Sequence, residues 1–202
     1  MKLFFRLPVF CILILTACHQ HANPPTQSKA ATAIDSVASP SIFPVTEFLL
    51  GQLKEIDSMP VTPVEISVVD SRRDSVWRKR EDIRKFAAPF LTPVFDSASM
   101  HDLFDEKSFM DLTVNAVTLT YDPKVPLPDS IKITHCDVYI DPKTHQVQRV
   151  YMVKEDIQNG ETVTTQLTWK VNQWCSIRTI EHENKTVPAV KEKIMKWDVT
   201  DP

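Results

Sequence analysis

The fold is decided by residues 147–170, which read VQRVYMVKEDIQNGETVTTQLTWK. Both ends of this stretch are rich in β-branched and aromatic side chains, which is typical of β-strands. Between them, Asn159-Gly160 is the strongest short hairpin signal in the chain, because both turn residues must accept a positive φ. The stretch therefore predicts an antiparallel hairpin of two strands, 147–154 and 161–170.

The same strand pattern continues on both sides of this hairpin. The further predicted strands are 113–121, 131–140, 174–181 and a last edge strand at 193–197. The proline-rich residues 122–129 and the six residues 141–146 supply turns between them. From Phe109 onward, the chain predicts an antiparallel meander of five or six strands.

Helices are predicted before the meander. Apolar residues at helical spacing place one helix at 43–57 and a second at 75–87, and Ser97 can cap a short third helix. Residues 62–69 alternate and form a strand, in which Pro63 indicates either an edge position or a strand start. The sequence thus predicts an α+β domain with N-terminal helices packed on one face of the meander. In element order, this arrangement resembles the cone-shaped NTF2-like fold.

Glycine is scarce, with 2 glycines against 15 prolines in 202 residues. With only Gly51 and Gly160, the chain can form neither a glycine-rich phosphate loop nor a GxSxG nucleophile elbow. Gly51 falls inside the first predicted helix, where it costs about 1 kcal/mol relative to alanine, and a close approach by another element would explain it. The formal net charge of −3 gives no general electrostatic reason to bind nucleic acid.

The N-terminus carries an export signal. Lys2 and Arg6 precede an apolar run at 7–17, which is too short to span a bilayer but suits the core of a signal peptide. The run closes in Leu15-Thr16-Ala17-Cys18, which resembles the lipobox of bacterial lipoprotein precursors. The resemblance implies acylation of Cys18, and two or more acyl chains anchor a protein stably. The alternative is a plain secretory signal with an incidental cysteine.

The resemblance divides the chain into a signal peptide (1–17), a lipidated N-terminus with a flexible tether (18–41) and a single globular domain (42–202). The tether is rich in Ala, Ser, Thr and Pro and cannot bury enough apolar area to offset its ordering entropy. His19 stands where some lipoproteins carry an inner-membrane retention Asp, so we expect the outer membrane, with the domain facing the periplasm. From residue 19 onward, the chain is also similar to uncharacterised single-domain lipoproteins of Gram-negative bacteria, a likeness that implies no activity.

Two cysteines, Cys136 and Cys175, remain once Cys11 is cleaved off and Cys18 is acylated. Both fall on apolar faces of predicted strands, and an exported compartment permits a disulfide between them. Such a bridge would contribute about 4 kcal/mol on chain-entropy grounds. The alternative is two buried free thiols, and the strand order decides whether the pair can meet. A catalytic cysteine is not predicted, since nothing marks an environment that stabilises a thiolate.

Polar side chains gather on one predicted strand. His135, Asp137 and Tyr139 project from one side of it, and Asp141 and His145 follow closely. These residue types hold metals or form acid–base pairs. The alternative is a solvated sheet face, because two ligand-type residues on a strand are common by chance and no third ligand spacing supports them. The sequence therefore predicts no metal site, cofactor or catalytic residue.

Seven basic residues occur within residues 72–85, interspersed with Asp74, Glu81 and Asp82. They form either a contact to anionic lipid head groups or a solvated helix face with i,i+4 pairs such as Glu81–Lys85. The tryptophans are predicted to pack mostly in the core or across strands. One of them, Trp169, would line a pocket with Cys175 if the sheet were conical.

An anchor, a tether and the lack of a catalytic constellation favour a non-catalytic, membrane-tethered binding or envelope assembly module. Its expected contacts are the membrane, through the lipid anchor, and an envelope protein. The alternative is a small-molecule pocket, enzymatic or not, inside an NTF2-like cone. That alternative requires a concave apolar cavity with a few convergent polar groups.

Overall fold

A computed structural model of the chain describes residues 42–69, 72–158, 160–181 and 189–198. Within these ranges, the strands are Val64–Val69 (β1), Arg72–Trp77 (β2), Phe104–Asp111 (β3), Ala116–Pro123 (β4), Ile133–Ile140 (β5), Val147–Gln158 (β6), Glu161–Lys170 (β7), Trp174–Glu181 (β8) and Ala189–Lys196 (β9). The helices are Val45–Ser58 (α1), Arg80–Phe86 (α2) and Ser97–Met100 (α3), with a 3₁₀ turn at Ala88–Phe90. Among the described helices, none has the length and apolar character that a membrane span needs.

All nine of these strands form a single antiparallel sheet in the order β2-β1-β9-β8-β7-β6-β5-β4-β3. From β3 to β9 each strand lies beside its neighbour in sequence, as a meander requires. The N-terminal hairpin β1–β2 then pairs with the free side of β9, with Ile66 opposite Ile194. Because of this pairing, β9 is an interior strand, and the prediction of an edge strand at 193–197 is wrong.

The predicted fold class is wrong. The structure is a β-rich, nine-stranded antiparallel sheet, rather than an α+β domain of N-terminal helices on five or six strands. The resemblance to the NTF2-like fold was based on the predicted order of elements, so it is wrong as well. The second predicted helix, 75–87, is in fact the end of β2 followed by α2, which begins only at Arg80. An exposed strand buries neither face, so β2 carries no alternating apolar pattern that would predict it.

Several individual elements are confirmed. Strands β7 and β8 have the predicted bounds, and α1 begins and ends within two residues of its prediction. The hairpin between β6 and β7 pairs Gln158 with Glu161, and Gly160 has a φ of +83°. Pro63 directly precedes β1, which lies between β2 and β9, so this proline marks a strand start rather than an edge strand.

One face of the sheet, the core face, is covered by the helices. Helix α1 buries a stripe of apolar residues at helical spacing: Val45, Leu49, Leu53 and Ile56. Beneath the helices, the sheet contributes a layer of buried residues that includes Tyr121, Val138, Met152, Leu167 and Trp169. The ring of Phe90 packs edge-on to Trp169 with centroids 5.6 Å apart, which ties the 3₁₀ turn to the centre of the sheet.

Candidate functional site

The other face of the sheet, here called the open face, lies opposite the helices. Directly paired residues on neighbouring strands share a face, so the register defines its members. Across the middle of the sheet these are Thr118, Thr120 and Asp122 (β4), His135, Asp137 and Tyr139 (β5), Arg149, Tyr151 and Val153 (β6), Gln166, Thr168 and Lys170 (β7), and Trp174, Ser176 and Arg178 (β8). A polar network occupies the β4–β6 part of this face.

Asp137 is the centre of the network. Its side chain accepts a hydrogen bond from the Thr120 hydroxyl at 2.6 Å and another from the Tyr139 hydroxyl at 3.1 Å. The Nε2 atom of His135 lies 3.1 Å from the same carboxylate. Asp137 is only 9% exposed, so these three partners stand in for the water that a buried carboxylate would otherwise lack.

His135 lies between two carboxylates. While Nε2 faces Asp137, Nδ1 lies 2.9 Å from Oδ1 of Asp122. The other oxygen of Asp122 is 3.1 Å from the Lys107 ammonium on β3. The network thus alternates in charge along the chain Lys107, Asp122, His135, Asp137.

The pKa values follow from these contacts. The hydrogen bond to Asp137, followed by that to Asp122, raises the pKa of His135 to about 9 against the opposing effect of burial. Burial opposes ionisation of Asp137, yet hydrogen bonds led by that from His135 hold its pKa below the usual range. The pKa of Asp122 is likewise lowered, mainly by the bond to His135. Around neutral pH the group is therefore an imidazolium between two carboxylates.

This arrangement is poorly suited to acid–base catalysis. Both ring nitrogens of His135 face carboxylates, and a pKa of about 9 keeps both of them protonated near neutral pH. Such a ring cannot accept a proton from a substrate or donate a lone pair to a metal. In the described part of the chain, no group of three or more His, Cys, Asp or Glu residues could hold a metal ion. The contacts within the network hold Thr120, Asp122, His135, Asp137 and Tyr139 in fixed orientations.

What the network orders is a set of aromatic and cationic side chains. The Arg149 guanidinium lies 3.9 Å from the centroid of the Tyr139 ring, within cation–π distance. The ring of Tyr151 packs edge-on to His135 with centroids 6.2 Å apart. Tyr139 is thus fixed at its hydroxyl by Asp137 and over its ring by Arg149. These residues are the largest side chains in this part of the open face.

The structure brings together three of the five polar residues that the sequence singled out on this strand. His135, Asp137 and Tyr139 form one network, whereas Asp141 and His145 stay outside it. The Asp141 carboxylate accepts hydrogen bonds from the Lys143 and Thr144 backbone and so stabilises the β5–β6 turn. His145 is exposed in that turn with a φ of +57°. Both residues shape the turn.

Five residues in contact with the network were not predicted: Lys107, Thr120, Asp122, Arg149 and Tyr151. Asp122 and Thr120 lie on β4, and they reach β5 only because Tyr121 pairs with Cys136. The sequence places Asp122 at the start of a proline-rich loop, and the length of that loop leaves the register open. Arg149 depends in the same way on the pairing of β5 with β6. The signal that could have found Thr120 and Asp122 is the alternation in Thr120-Tyr121-Asp122, which begins in the predicted strand 113–121 and ends one residue beyond it.

The two cysteines in the described part of the chain, Cys136 and Cys175, are free and buried. Cys136 lies on β5 and Cys175 on β8, with β6 and β7 between them. Three strand spacings of about 4.8 Å put the two about 14 Å apart, well beyond the reach of a disulfide. Of the two alternatives left by the sequence, the structure has the free thiols. Burial raises the pKa of each thiol, so neither is a ready nucleophile.

Among the described residues, Trp169 and Cys175 are packed into the core and do not line the pocket that a conical sheet would give. Both residues are fully buried on the core face, and Trp169 packs against Phe90 and against Trp197, whose ring centroid is 5.3 Å away. The space that a conical sheet would leave open is filled by side chains. An open cleft of about 320 Å³ does occur at one end of the sheet, lined by residues that include Ile131, Lys132, Glu155 and Ile157.

The predicted lipobox, Cys18 and the tether lie outside the described residues. Comparison of the chain with protein-family models, with curated proteins and with solved structures finds no match.

Proposed function

We propose that this protein is a lipid-anchored, non-catalytic binding module of the bacterial cell envelope, and that its open face contacts a partner protein. The observation that carries the proposal is the composition of that face. Tyr139 on β5, Arg149 and Tyr151 on β6, and Trp174 and Arg178 on β8 all lie on the face of the sheet opposite the helices, with β7 between β6 and β8. Tyr, Trp and Arg are the residues that contribute most of the binding energy at protein interfaces.

The fixed orientation of side chains on this face also supports a binding function. Tyr139 is held by its hydrogen bond to Asp137 and by Arg149, so it would lose little freedom on meeting a partner. Arg178 is exposed, and it can contact a partner without moving another side chain. With His135 held by two carboxylates, the same network offers no free base, which favours recognition over catalysis.

The anchor follows from Leu15-Thr16-Ala17-Cys18. Acylated Cys18 would hold the protein on the membrane, and His19 after it favours the outer membrane with the domain in the periplasm. The flexible tether that the sequence predicts at 18–41 would have a root-mean-square span of roughly 25 to 30 Å. That span lets the open face reach an envelope protein in the periplasm or at the membrane surface.

The anchor is tested by blocking maturation. Treatment of cells with globomycin, or the substitution Cys18→Ala, should leave the full-length precursor uncleaved. Immunoblotting after membrane fractionation detects the change in size and in partition. An unchanged size and unchanged membrane partition in the variant would refute lipidation.

The binding face is tested by site-specific photo-crosslinking in cells. A photo-reactive amino acid at position 178 should give a discrete crosslinked product. The same group at position 54 should give none, because Lys54 is an exposed residue of α1 and the helices lie on the side of the sheet opposite the open face. In pull-downs from solubilised envelopes, Arg178→Glu should lose the partner and Lys54→Glu should retain it. If neither position crosslinks and no protein is enriched over an anchor-only control, the binding function fails.

A further inference from the structure

Strand β2 forms one edge of the sheet and projects beyond the core. Each of its six residues is exposed, and the exposure continues through Lys79. By register, Arg73 and Trp77 lie on the open-face side, opposite Val68 and Val64, whereas Arg72 lies on the other side. A flat surface could therefore contact this strand without touching the helices.

Positive charge is concentrated here. Residues 72–85 hold seven basic and three acidic residues, in a chain whose formal net charge is −3. The excess of positive charge is therefore local to this part of the chain, and it sits at the end of the sheet where β2 is the outermost strand.

Four of the seven basic side chains already have partners. Three of them form ion pairs: Arg78 with Glu65, Arg84 with Asp57, and Lys85 with Asp82. The fourth, Arg80, donates a hydrogen bond to the Met59 carbonyl. These contacts replace the predicted Glu81–Lys85 pair. The other three cations, Arg72, Arg73 and Lys79, have no ion-pair partner among the described residues.

An exposed tryptophan lies among these three cations. Trp77 is 66% exposed, although the sequence predicts that most tryptophans are buried, and its neighbour Val76 is 45% exposed. Leaving this much apolar area in water is unfavourable unless something covers it. Tryptophan is the residue that prefers the boundary between lipid head groups and hydrocarbon. We name Arg72, Arg73, Trp77 and Lys79 the basic edge.

We infer that the basic edge docks on the surface of an anionic lipid bilayer. Each basic residue near such a surface contributes about a fivefold gain in binding, and Trp77 would enter the head-group layer between them. A flat bilayer that meets β2 along its free edge is within reach of side chains on both sides of the strand, Arg72 on one and Arg73 and Trp77 on the other. The rest of the chain, with its excess of negative charge, stays away from the bilayer. Charged side chains on an edge strand also disfavour pairing with the same edge of a second copy. The inference rests on the proposed function in one respect only, which is that the tether brings the edge to a membrane.

The test uses the mature chain with its anchor, reconstituted into vesicles whose acyl chains are brominated and therefore quench tryptophan on contact. One set of vesicles is phosphatidylcholine alone, and the other also contains phosphatidylglycerol. Trp169 and Trp197 are buried, and Trp174 is partly buried on β8, three strands away from β2, so Trp77 is the tryptophan that should report contact with the acyl chains. We expect quenching only in the anionic vesicles. It should disappear in Trp77→Phe and fall at least tenfold in the double variant Arg72→Glu/Arg73→Glu. The matched control, Lys54→Glu/Lys143→Glu, reverses two exposed lysines elsewhere and should quench like the parent.

Each outcome separates the edge from the anchor. If the chain floats with both kinds of vesicle but Trp77 is not quenched in the anionic ones, the edge inference fails and the anchor stands. If the chain floats only with anionic vesicles and loses this in Arg72→Glu/Arg73→Glu, the edge inference stands and the anchor fails. A dimer in detergent that the same double variant dissociates, without quenching in vesicles, would assign the edge to a second copy and overturn the inference. High salt should weaken quenching if the contact is electrostatic.

Discussion

The Nε2 atom of His135 lies 3.1 Å from Oδ2 of Asp137, two residues further along the same strand. With Asp122 on the other nitrogen, this contact raises the pKa of His135 to about 9. A group whose pKa is higher in the folded chain than in the unfolded chain stabilises the fold while it is protonated. The contribution is therefore complete below a pH of about 6.5, the pKa of an unperturbed histidine, and is lost as the pH rises through about 9.

Between a pH of about 6.5 and about 9, the parent should lose the stability that protonated His135 contributes, whereas His135→Gln should show no such loss. The expected loss in the parent is about 1 to 2 kcal/mol, a reduced figure because 31% of the ring is exposed to screening solvent. Urea unfolding at several pH values measures it as the difference between parent and variant. The comparison with the variant is needed because Lys154 has an opposite effect on the parent. Burial lowers the pKa of Lys154 to about 8, so its contribution to the free energy of unfolding increases as the pH rises. The partly exposed His101 supplies the control His101→Gln. Identical pH slopes in the parent and in His135→Gln would contradict the prediction.

Asp137 should matter more to stability than any exposed carboxylate. Asp137→Ala would leave the Thr120 and Tyr139 hydroxyls and His135 without their shared acceptor, at a position that is only 9% exposed. Losing one partner of such a network costs about 3 kcal/mol. Asp102, whose side chain is 97% exposed, supplies the control Asp102→Ala, for which a change below about 0.5 kcal/mol is expected. Equal free energies of unfolding for the two variants would show that the network adds no stability.

The two buried cysteines should react only after unfolding. In the native chain, iodoacetamide should label neither Cys136 nor Cys175, because both thiols are buried and burial raises their pKa values. In denaturant without reductant, both should be alkylated, as found by mass spectrometry of the peptides that contain them. A disulfide would instead leave both unlabelled until a reductant is added. That result would require a strand order different from the one described here.

Strands that bury one face could be predicted from the sequence, and strands that bury neither could not. In Glu161–Lys170, Val163, Leu167 and Trp169 are buried while their neighbours are partly exposed, so the period of two is visible. In Phe104–Asp111, only Phe104 is buried, and no period survives. Both edge strands, β2 and β3, are of this second kind. Their omission, together with the unpredicted pairing of β1 with β9, is the reason that the predicted sheet is too small.

The candidate site could be predicted along one strand but not across strands. The spacing of His135, Asp137 and Tyr139 is a local property, and it puts them on one face whatever lies beside them. Whether that face meets Asp122 or another residue depends on the register between β4 and β5. The pairing of β1 with β9 is harder still, since it joins residues more than a hundred positions apart. The sequence therefore predicts the face of each strand and leaves the neighbours of that face open.

The two glycines should respond to alanine in opposite directions. At both positions an added Cβ would have no atom within 4 Å, so only the backbone conformation differs. Gly51 lies on the exposed side of α1, and the close approach that would explain it is not seen in the described structure. Gly51→Ala should raise the free energy of unfolding by about 0.5 to 1 kcal/mol, because alanine loses less backbone entropy in a helix.

Gly160 has a φ of +83° in the β6–β7 hairpin, a conformation that alanine adopts only with strain. Gly160→Ala should therefore lower the free energy of unfolding by about 1 kcal/mol. Thermal and urea unfolding of both variants beside the parent give the two signs in one experiment. Gly160→Asn is the control, because asparagine tolerates positive φ and should recover part of the loss. If Gly160→Ala is as stable as the parent, the positive φ of this turn is not what requires a glycine, and the most local prediction from the sequence fails with it.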